Sequence, residues 1–230
     1  MKRKVLIMNK HTPFLGFWHY GVVLTYISLA SGIVGICFSV GGAREPYPWV
    51  GIICLLISGF CDAFDGVVAR TRKNRTREDC MFGARIDSLT DLIAFGVAPA
   101  MIGFGMHINR WYYLPIYIFF VLCGLVRLAY FDVTEQIRTE DADCGKRKYY
   151  QGLPITNAAV FLPIFYLIAT LFEPDSIAHN SVMLSGYVLL GILFILNFKI
   201  KKPGVKGILG IMGALAVVLF GLMALHLWVV

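Results

Sequence analysis

Four aspartates lie at helical spacing in two stretches that otherwise have the composition of membrane helices. Asp62 and Asp65 lie near the end of the first apolar stretch, and Asp87 and Asp91 open the next. At about 100° per residue, the members of each pair share one face of a helix. The polar segment between the stretches is short enough to make the two helices antiparallel neighbours. We therefore expect all four carboxylates to meet at one end of a helical bundle.

Such a cluster is predicted to bind divalent cations. Four neighbouring carboxylates repel one another and are costly to bury unless positive charge is supplied, and Arg127, alone deep in a span, cannot neutralise them. All-oxygen ligation suits Mg²⁺ or Mn²⁺, with Ca²⁺ as a further candidate, and the absence of His and Cys from the cluster argues against zinc. Two ions held by carboxylates would stabilise the attacking and leaving oxygens of a phosphoryl transfer.

Small and basic residues beside the acids fit the same chemistry. Gly66 and Ala69 leave the acidic face without bulk, and Arg70 and Arg85 stand at its rim, where they are expected to hold phosphate oxygens. In the alternative interpretation, the acids only cap helix N-termini or pair with loop arginines. That alternative suits the second pair, at a helix start, but not the first pair, at a helix end.

Membrane-spanning helices must position these residues. Hydrophobic residues make up 58% and charged residues 15% of the 230, and apolar runs of about 20 residues, the length that crosses a bilayer, recur along the chain. We place seven spans at residues 18–40, 47–69, 86–106, 111–131, 154–172, 182–198 and 207–229. The predicted class is all-α, a polytopic membrane helix bundle with a six-helix core and an additional C-terminal transmembrane helix. The corresponding divisions are an N-terminal cytoplasmic segment, 1–17, a membrane domain, 18–203, and the additional helix, 204–230.

The net charge of +7 reflects topology. If loops are counted alternately, eighteen Lys and Arg residues fall on one side and two, Arg44 and Arg110, on the other. This asymmetry predicts a multi-pass integral membrane protein whose N-terminus and acidic cluster face the cytoplasm. The basic residues are then expected to meet anionic lipid headgroups of the bilayer, and we expect no nucleic-acid partner.

The acidic residues closely resemble the signature of the CDP-alcohol phosphatidyltransferases, D-x2-D-G-x2-A-R-x8-G-x3-D-x3-D. It runs here from Asp62 to Asp91, with Gly83 as its third-helix glycine. Twelve residues, 71–82, precede this glycine where the signature has eight. We interpret the surplus as a one-turn insertion in a polar loop that spares the site.

Within that family the chain is most similar to the integral-membrane phosphatidylserine synthases, in segments such as "DSLTDLIAFGVAPA", "GLVRLAYF" and "YYQGLPITNAA". The resemblance implies that Asp62, Asp65 and Asp87 ligate metal, and that Asp91 helps hold a second ion and acts as general base. It implies transfer of a phosphatidyl group from CDP-diacylglycerol to the hydroxyl of L-serine, with CMP as leaving group. Relatives in the family are commonly homodimers, and we expect the same here.

Three further residues are candidates for substrate binding. Arg127 either snorkels from the fourth span to the membrane surface or faces the acidic cavity, where it would bind the serine carboxylate or a phosphate. Gly152 and Pro154 precede the fifth span, and they either begin its helix or form a wall of the acceptor pocket.

Two other functions stay open at this point. A sister enzyme would take glycerol phosphate or inositol phosphate as acceptor, and its pocket should contain additional basic residues. A cation transporter would use the acids as an ion path, and it should have polar residues across the full membrane depth. In this sequence the acidic residues of the spans stop at the inner side.

Overall fold

The computed structural model describes residues 20–41, 46–71, 76–140 and 149–201, together with five isolated positions between 207 and 217. Seven α-helices lie in these ranges: α1 Val23–Val40, α2 Pro48–Arg70, α3 Arg77–Asp91, α4 Ala98–Gly105, α5 Leu114–Glu140, α6 Ala158–Ala169 and α7 Ile177–Ile195. Two short strands, β1 (Tyr149–Gln151) and β2 (Lys199–Lys201), pair in antiparallel register. The all-α class is confirmed, since these two three-residue strands are the only strands in the described residues.

Within the described residues, five helical stretches are long and apolar enough to cross a membrane, which supports a multi-pass integral membrane protein. They are Val23–Val40, Pro48–Asp65, Asp79–Gly105, Trp111–Ile137 and Ile177–Ile195, with Ile155–Ala169 as a shorter apolar helical stretch. Six of the seven predicted spans therefore have a helical counterpart. The N-terminal segment 1–17 and nearly all of the seventh predicted span, 207–229, lie outside the described residues.

The third helix begins earlier than its predicted span at 86–106. Thr76 and Asp79 form a reciprocal cap, in which the Thr76 hydroxyl accepts from the Asp79 backbone N–H and the Asp79 carboxylate accepts from the Thr76 N–H, both at 3.1 Å. This capping box starts α3 at Arg77. The prediction of a polar loop over 71–82 is therefore wrong for its second half, which is helix.

The helices α3 and α4 form one continuous rod joined by a π-helical segment, Leu92–Val97. Within it the Ala98 N–H bonds to the carbonyl of Ile93, five residues back. Pro99 has no N–H, and in a regular α-helix its ring would press on the carbonyl of Phe95. The wider π turn removes that clash, and the Tyr187 hydroxyl on α7 donates to the Pro99 carbonyl at 2.7 Å.

The acids of α2 and α3 lie at one end of the bundle, which we call the acidic end. Here α2 ends and α3 begins, and hydrogen bonds from α3 show that the last turns of α5 reach the same end. The β1–β2 pair ties the chain that enters α6 to the chain that leaves α7. Helix α5 continues to Glu140, beyond the predicted end of its span at 131. Its additional turns face α3 at the acidic end.

Candidate active site

Three of the four aspartates converge. Asp62 on α2 and Asp87 and Asp91 on α3 each offer a carboxylate oxygen, and these three atoms all lie within 4.8 Å of one another. All three side chains are half-buried. Because α3 already begins at Arg77, Asp87 and Asp91 lie one turn apart on a formed helix and project from the same face.

The fourth aspartate, Asp65, lies at the edge of this group. Its carboxylate accepts a hydrogen bond from the Thr25 hydroxyl of α1 at 3.4 Å. Its carboxyl group also lies within hydrogen-bonding reach of Asp87. Asp65 therefore connects the three-carboxylate group to α1 and is not one of its three members.

The three-carboxylate group fits a divalent cation by its donor chemistry and by its size. Hard cations such as Mg²⁺ and Ca²⁺ bind oxygen at about 2.0–2.6 Å, so two ligands of one ion are at most about 5 Å apart. The separations among the three oxygens meet that limit. Mutual repulsion of three half-buried carboxylates supplies the drive to bind such an ion.

Four further residues of the signature belong to the same two helices as the acids. Gly66, Ala69 and Arg70 belong to the last turns of α2, and their side chains lie outside the described part of the structure. Gly83 is half-buried on α3, one turn before Asp87, as its place in the signature predicts.

Arg85 joins α3 to α5. Its two terminal nitrogens donate to the Asp132 carboxylate at 3.2 Å and to the Gln136 side-chain oxygen at 3.1 Å. The Ser88 hydroxyl donates to the other oxygen of Asp132 at 2.7 Å. Asp132 and Gln136 were not among the predicted site residues, because the predicted span ended at residue 131. Their four-residue spacing, continued from the apolar part of α5, was the available signal.

A cavity of about 650 Å³ lies between α3 and α5 at the acidic end. Its lining residues are Cys80, Met81, Ala84, Arg85, Asp87 and Ser88 of α3 and Phe131, Asp132, Glu135 and Gln136 of α5. Asp87 belongs both to this lining and to the three-carboxylate group. The cavity therefore shares Asp87 with the candidate metal site, and its lining holds three acids and one arginine.

Arg127 is buried inside the bundle and does not snorkel to the surface. Its side chain is 6% exposed, and its Nε donates to the Leu153 carbonyl at 3.1 Å. Its Cζ lies 5.7 Å from the centroid of the Phe131 ring, which lines the cavity on its other side. Arg127 thus holds the chain that enters α6, one side chain behind the α3–α5 cavity.

Gly152 and Pro154 form the start of the α6 segment. Gly152 has a φ of +70°, and its N–H donates to the Phe198 carbonyl at 2.7 Å. Pro154 precedes the 3₁₀ turn Ile155–Asn157, and its carbonyl accepts from the Asn157 side chain at 3.2 Å. Neither residue is among those that line the α3–α5 cavity in the described part of the chain.

Comparison with known proteins adds to this geometry. The family model described as CDP-alcohol phosphatidyltransferase matches residues 18–198. The chain is 35% identical over 196 residues to the CDP-diacylglycerol–serine O-phosphatidyltransferase of Saccharomyces cerevisiae, covering 77% of this chain and 70% of the relative. It is 29% identical over 186 residues to the archaetidylserine synthase of Methanothermobacter thermautotrophicus, covering 80% and 70%. Over 187 residues it is 30% identical to a CDP-diacylglycerol–serine O-phosphatidyltransferase of Helicobacter pylori, covering 80% and 71%.

Proposed function

The chain belongs to the CDP-alcohol phosphatidyltransferase family, and we propose that it transfers the phosphatidyl group of CDP-diacylglycerol to L-serine. The observation that carries the proposal is the convergence of Asp62, Asp87 and Asp91 from two membrane helices at one end of the bundle. The relatives whose names specify serine support this acceptor. Membership of a transferase family also favours an enzyme over the cation transporter considered above.

The proposed reaction is a single displacement at phosphorus. The serine hydroxyl oxygen bonds to the β-phosphorus of CDP-diacylglycerol, and the bond from that phosphorus to the oxygen bridging to CMP breaks. CMP leaves with the electron pair. The hydroxyl proton passes to a carboxylate, for which we propose Asp91, because an alcohol needs a base or a metal to become nucleophilic.

We propose that Asp62, Asp87 and Asp91 hold Mg²⁺ or Mn²⁺, with Asp65 assisting at a second ion. When bound, these ions would supply charge stabilisation of the phosphoryl oxygens and of departing CMP. The protein's own contribution is to fix the carboxylates on α2 and on the α3–α4 rod, which packs against α2, before substrate arrives. Ca²⁺ is a further candidate for the ion. The test below compares the three ions.

The substrate contacts remain predictions. The residues concerned are Gly66, Ala69, Arg70, Gly83, Arg85, Arg127, Gly152 and Pro154. The two ligands expected for Arg127 are the serine carboxylate and a phosphate oxygen. We favour the phosphate oxygen, because the described lining of the α3–α5 cavity contains Arg85 and not Arg127.

We propose that the acidic end faces the cytoplasm. When loops are counted alternately, eighteen Lys and Arg residues fall on one side and two on the other. The side with eighteen is the side of the acidic end, and such an excess is typical of cytoplasmic loops. A homodimer, which the sequence resemblance implies, is likewise a prediction.

The direct test is CMP release by the purified protein with CDP-diacylglycerol and Mn²⁺. Serine, glycerol 3-phosphate, inositol phosphate and water alone are compared as acceptors, and Mg²⁺ and Ca²⁺ replace Mn²⁺ in parallel reactions. We expect serine to release several times more CMP than water. Release that responds to a phosphorylated acceptor instead would assign the chain to a sister activity, and release that equals the water background with every acceptor would contradict the proposal.

A further inference from the structure

Asp132 on α5 is hydrogen-bonded to the part of α3 that carries the candidate metal ligands. The Ser88 hydroxyl donates to one carboxylate oxygen of Asp132 at 2.7 Å, and Arg85 donates to the other at 3.2 Å. Ser88 directly follows Asp87 and lies three residues before Asp91. Asp132 therefore connects α5 to the segment of α3 that holds two members of the three-carboxylate group.

The hydrogen bond from Ser88 is the stronger of the two. A hydroxyl that donates to a carboxylate makes a charge-assisted hydrogen bond, for which a separation of about 2.7 Å is typical. The Arg85 side chain is 59% exposed and that of Asp132 is 21% exposed. Water and salt screen an ion pair with an exposed partner, so the Arg85 contact contributes little. The half-buried Ser88 is thus the main restraint between Asp132 and α3.

This hydrogen bond restrains the rotation of α3 about its own axis. At about 100° per residue, Ser88 lies roughly 80° around the helix from the midpoint between Asp87 and Asp91. A helix that is held at a point away from its axis cannot rotate without breaking that contact. The bond between Ser88 and Asp132 therefore fixes the direction in which the two α3 carboxylates point.

A metal site requires an accurate rotation angle. Side-chain atoms lie about 5–6 Å from a helix axis, so a rotation of about 10° moves a carboxylate oxygen by about 1 Å. Metal–ligand distances in well-formed sites vary by only about 0.2 Å. Without the bond to Asp132, we expect the oxygens of Asp87 and Asp91 to lose their register with the Asp62 oxygen on α2.

We propose that Asp132 is a positioning residue of the metal site, which acts through Ser88 on Asp87 and Asp91. The inference rests on the metal-binding part of the proposed function and adds a residue that orients the ligands without being one of them. Asp132 and Asp87 line the same cavity, so the negative charge of Asp132 also attracts a cation to the site. The experiment has to separate this effect of charge from the effect of position.

Substitutions at both ends of the hydrogen bond make that separation. The dissociation constant for Mn²⁺ is measured without substrate, by electron paramagnetic resonance of the free ion. Ser88→Ala breaks the bond and leaves the charge unchanged, and it should raise the constant by about tenfold or more, the usual cost of losing a group that orients a metal ligand. Asp132→Ala should raise it at least as much. Asp132→Asn keeps an oxygen that accepts from Ser88 and should retain most of the affinity.

The double variant Ser88→Ala/Asp132→Ala tests whether the two residues act together. It should bind Mn²⁺ no more weakly than Asp132→Ala, because both substitutions break the same bond. Additive losses in the double variant would overturn the inference. Equal losses in Asp132→Ala and Asp132→Asn, with no loss in Ser88→Ala, would assign the effect to charge and also overturn it. If Asp132→Ala does not fold, Ser88→Ala and Asp132→Asn decide.

Tyr187→Phe controls for a general loosening of the helix. The Tyr187 hydroxyl donates at 2.7 Å to the Pro99 carbonyl, on the same α3–α4 rod but beyond the π segment. Its removal breaks a hydrogen bond as short as that of Ser88 and should leave the affinity for Mn²⁺ unchanged. A loss in Tyr187→Phe equal to that in Ser88→Ala would show that any weakening of the rod affects the site, and this result contradicts a specific role for Asp132.

These measurements distinguish the inference from the proposed function. Wild-type protein that binds no Mn²⁺ overturns both the metal site and the role of Asp132. Binding by the wild type with unchanged affinity in Ser88→Ala overturns the role of Asp132 alone. The acceptor does not enter the Mn²⁺ measurements, so failure of serine to increase CMP release would contradict the proposed function and not this inference.

Discussion

Ser28 on α1 and Ser58 on α2 exchange hydrogen bonds across the helix interface. Each hydroxyl donates to the backbone carbonyl of the other residue, at 3.3 Å from Ser28 and 2.9 Å from Ser58, and both side chains are buried. In lipid, helices gain little from hydrophobic contact with each other, so close packing and such bonds hold them together. We call this pair of hydrogen bonds the Ser28–Ser58 seam. Because Ser58 lies one turn before Asp62, the seam fixes the position of the α2 carboxylates relative to α1.

The first prediction concerns the stability of this seam. Ser28→Ala and Ser58→Ala should each lower the free energy of unfolding by about 0.6 kcal/mol, the average for hydrogen bonds between membrane helices. Reversible unfolding in detergent or bicelles measures the change. Ser185→Ala is the matched control, because that hydroxyl is exposed and donates at 2.7 Å to Val182 of its own helix. Equal effects of all three substitutions would contradict a special role for the seam.

A buried serine at the other end of α1 should behave in the opposite way. Ser39 is fully buried, and its hydroxyl oxygen has no hydrogen-bond partner among the described residues. Removing an unsatisfied hydroxyl relieves a desolvation penalty of about 1–3 kcal/mol, offset by lost packing contacts. Ser39→Ala should therefore leave the free energy of unfolding unchanged or raise it. A loss as large as that of Ser58→Ala would reveal a partner that the structure does not describe.

Substitution of Gly152 tests the connection into α6. Its φ of +70° is costly for a residue with a Cβ, and an added Cβ would lie 2.9 Å from the Leu196 carbonyl oxygen. Gly152→Ala should lower the free energy of unfolding by about 1–2 kcal/mol or more, the cost of the left-handed conformation. Gly210→Ala is the control, because no atom of the described residues lies within 4 Å of its added Cβ. Equal stability of the two variants would contradict the strain argument.

The broad fold could be predicted because its signals are strong and local. Hydrophobic runs reveal spans, and the i, i+4 spacing of Asp87 and Asp91 places both on one helix face. The early start of α3 was also encoded, in the Thr76–Asp79 capping box, but a search for apolar runs does not see a polar first turn. Pro99 is incompatible with a regular α-helix over Phe95, but the sequence alone does not show whether the helix kinks there or takes the π turn that is observed.

The parts of the candidate site that lie on two helices joined by one short connection could be predicted from the sequence. Contacts between helices that are far apart in the sequence could not. The Asp62–Asp87–Asp91 group follows from adjacent helices. The contact between Arg85 and Asp132 joins residues 47 positions apart on two helices. It depends on the polar extension of α5, which the predicted span left out because it ended at residue 131. Sequence likewise placed Arg127 in a span but could not select between burial and snorkelling, because both suit a lone cation one turn from the end of the predicted span at residue 131.

Metal binding can be tested apart from turnover. Asp62→Asn and Asp87→Asn each remove a negative oxygen ligand from the three-carboxylate group, so the dissociation constant for Mn²⁺ should rise by about tenfold or more, by analogy with the cost of losing a metal-site partner. Electron paramagnetic resonance of free Mn²⁺ measures the constant without substrate. Asp175→Asn is the matched control, since Asp175 is exposed and outside the group, and asparagine tolerates its φ of +60°.

Unchanged Mn²⁺ affinity in both variants would remove the three-carboxylate group as a metal site. The same result would also remove the support that this group gives to the proposed transfer. Loss of Mn²⁺ affinity in Asp62→Asn but not in Asp87→Asn would place the ion towards α2. Asp87 would then be a residue of the cavity wall only.

The role of Asp91 separates chemistry from binding. Asp91→Asn keeps the shape of the side chain and one oxygen but removes its capacity to accept a proton at neutral pH, so CMP release with serine should fall by about 10²-fold or more. Binding of CDP-diacylglycerol, measured by calorimetry in detergent, should persist, because Asp62 and Asp87 remain to hold a cation. Asp175→Asn should retain full turnover.

Near-normal turnover in Asp91→Asn would exclude Asp91 as the base. Parallel loss of lipid-nucleotide binding and of Mn²⁺ affinity would instead make Asp91 a metal ligand alone. The proton would then need another acceptor, for which Asp65 is the remaining carboxylate of the four.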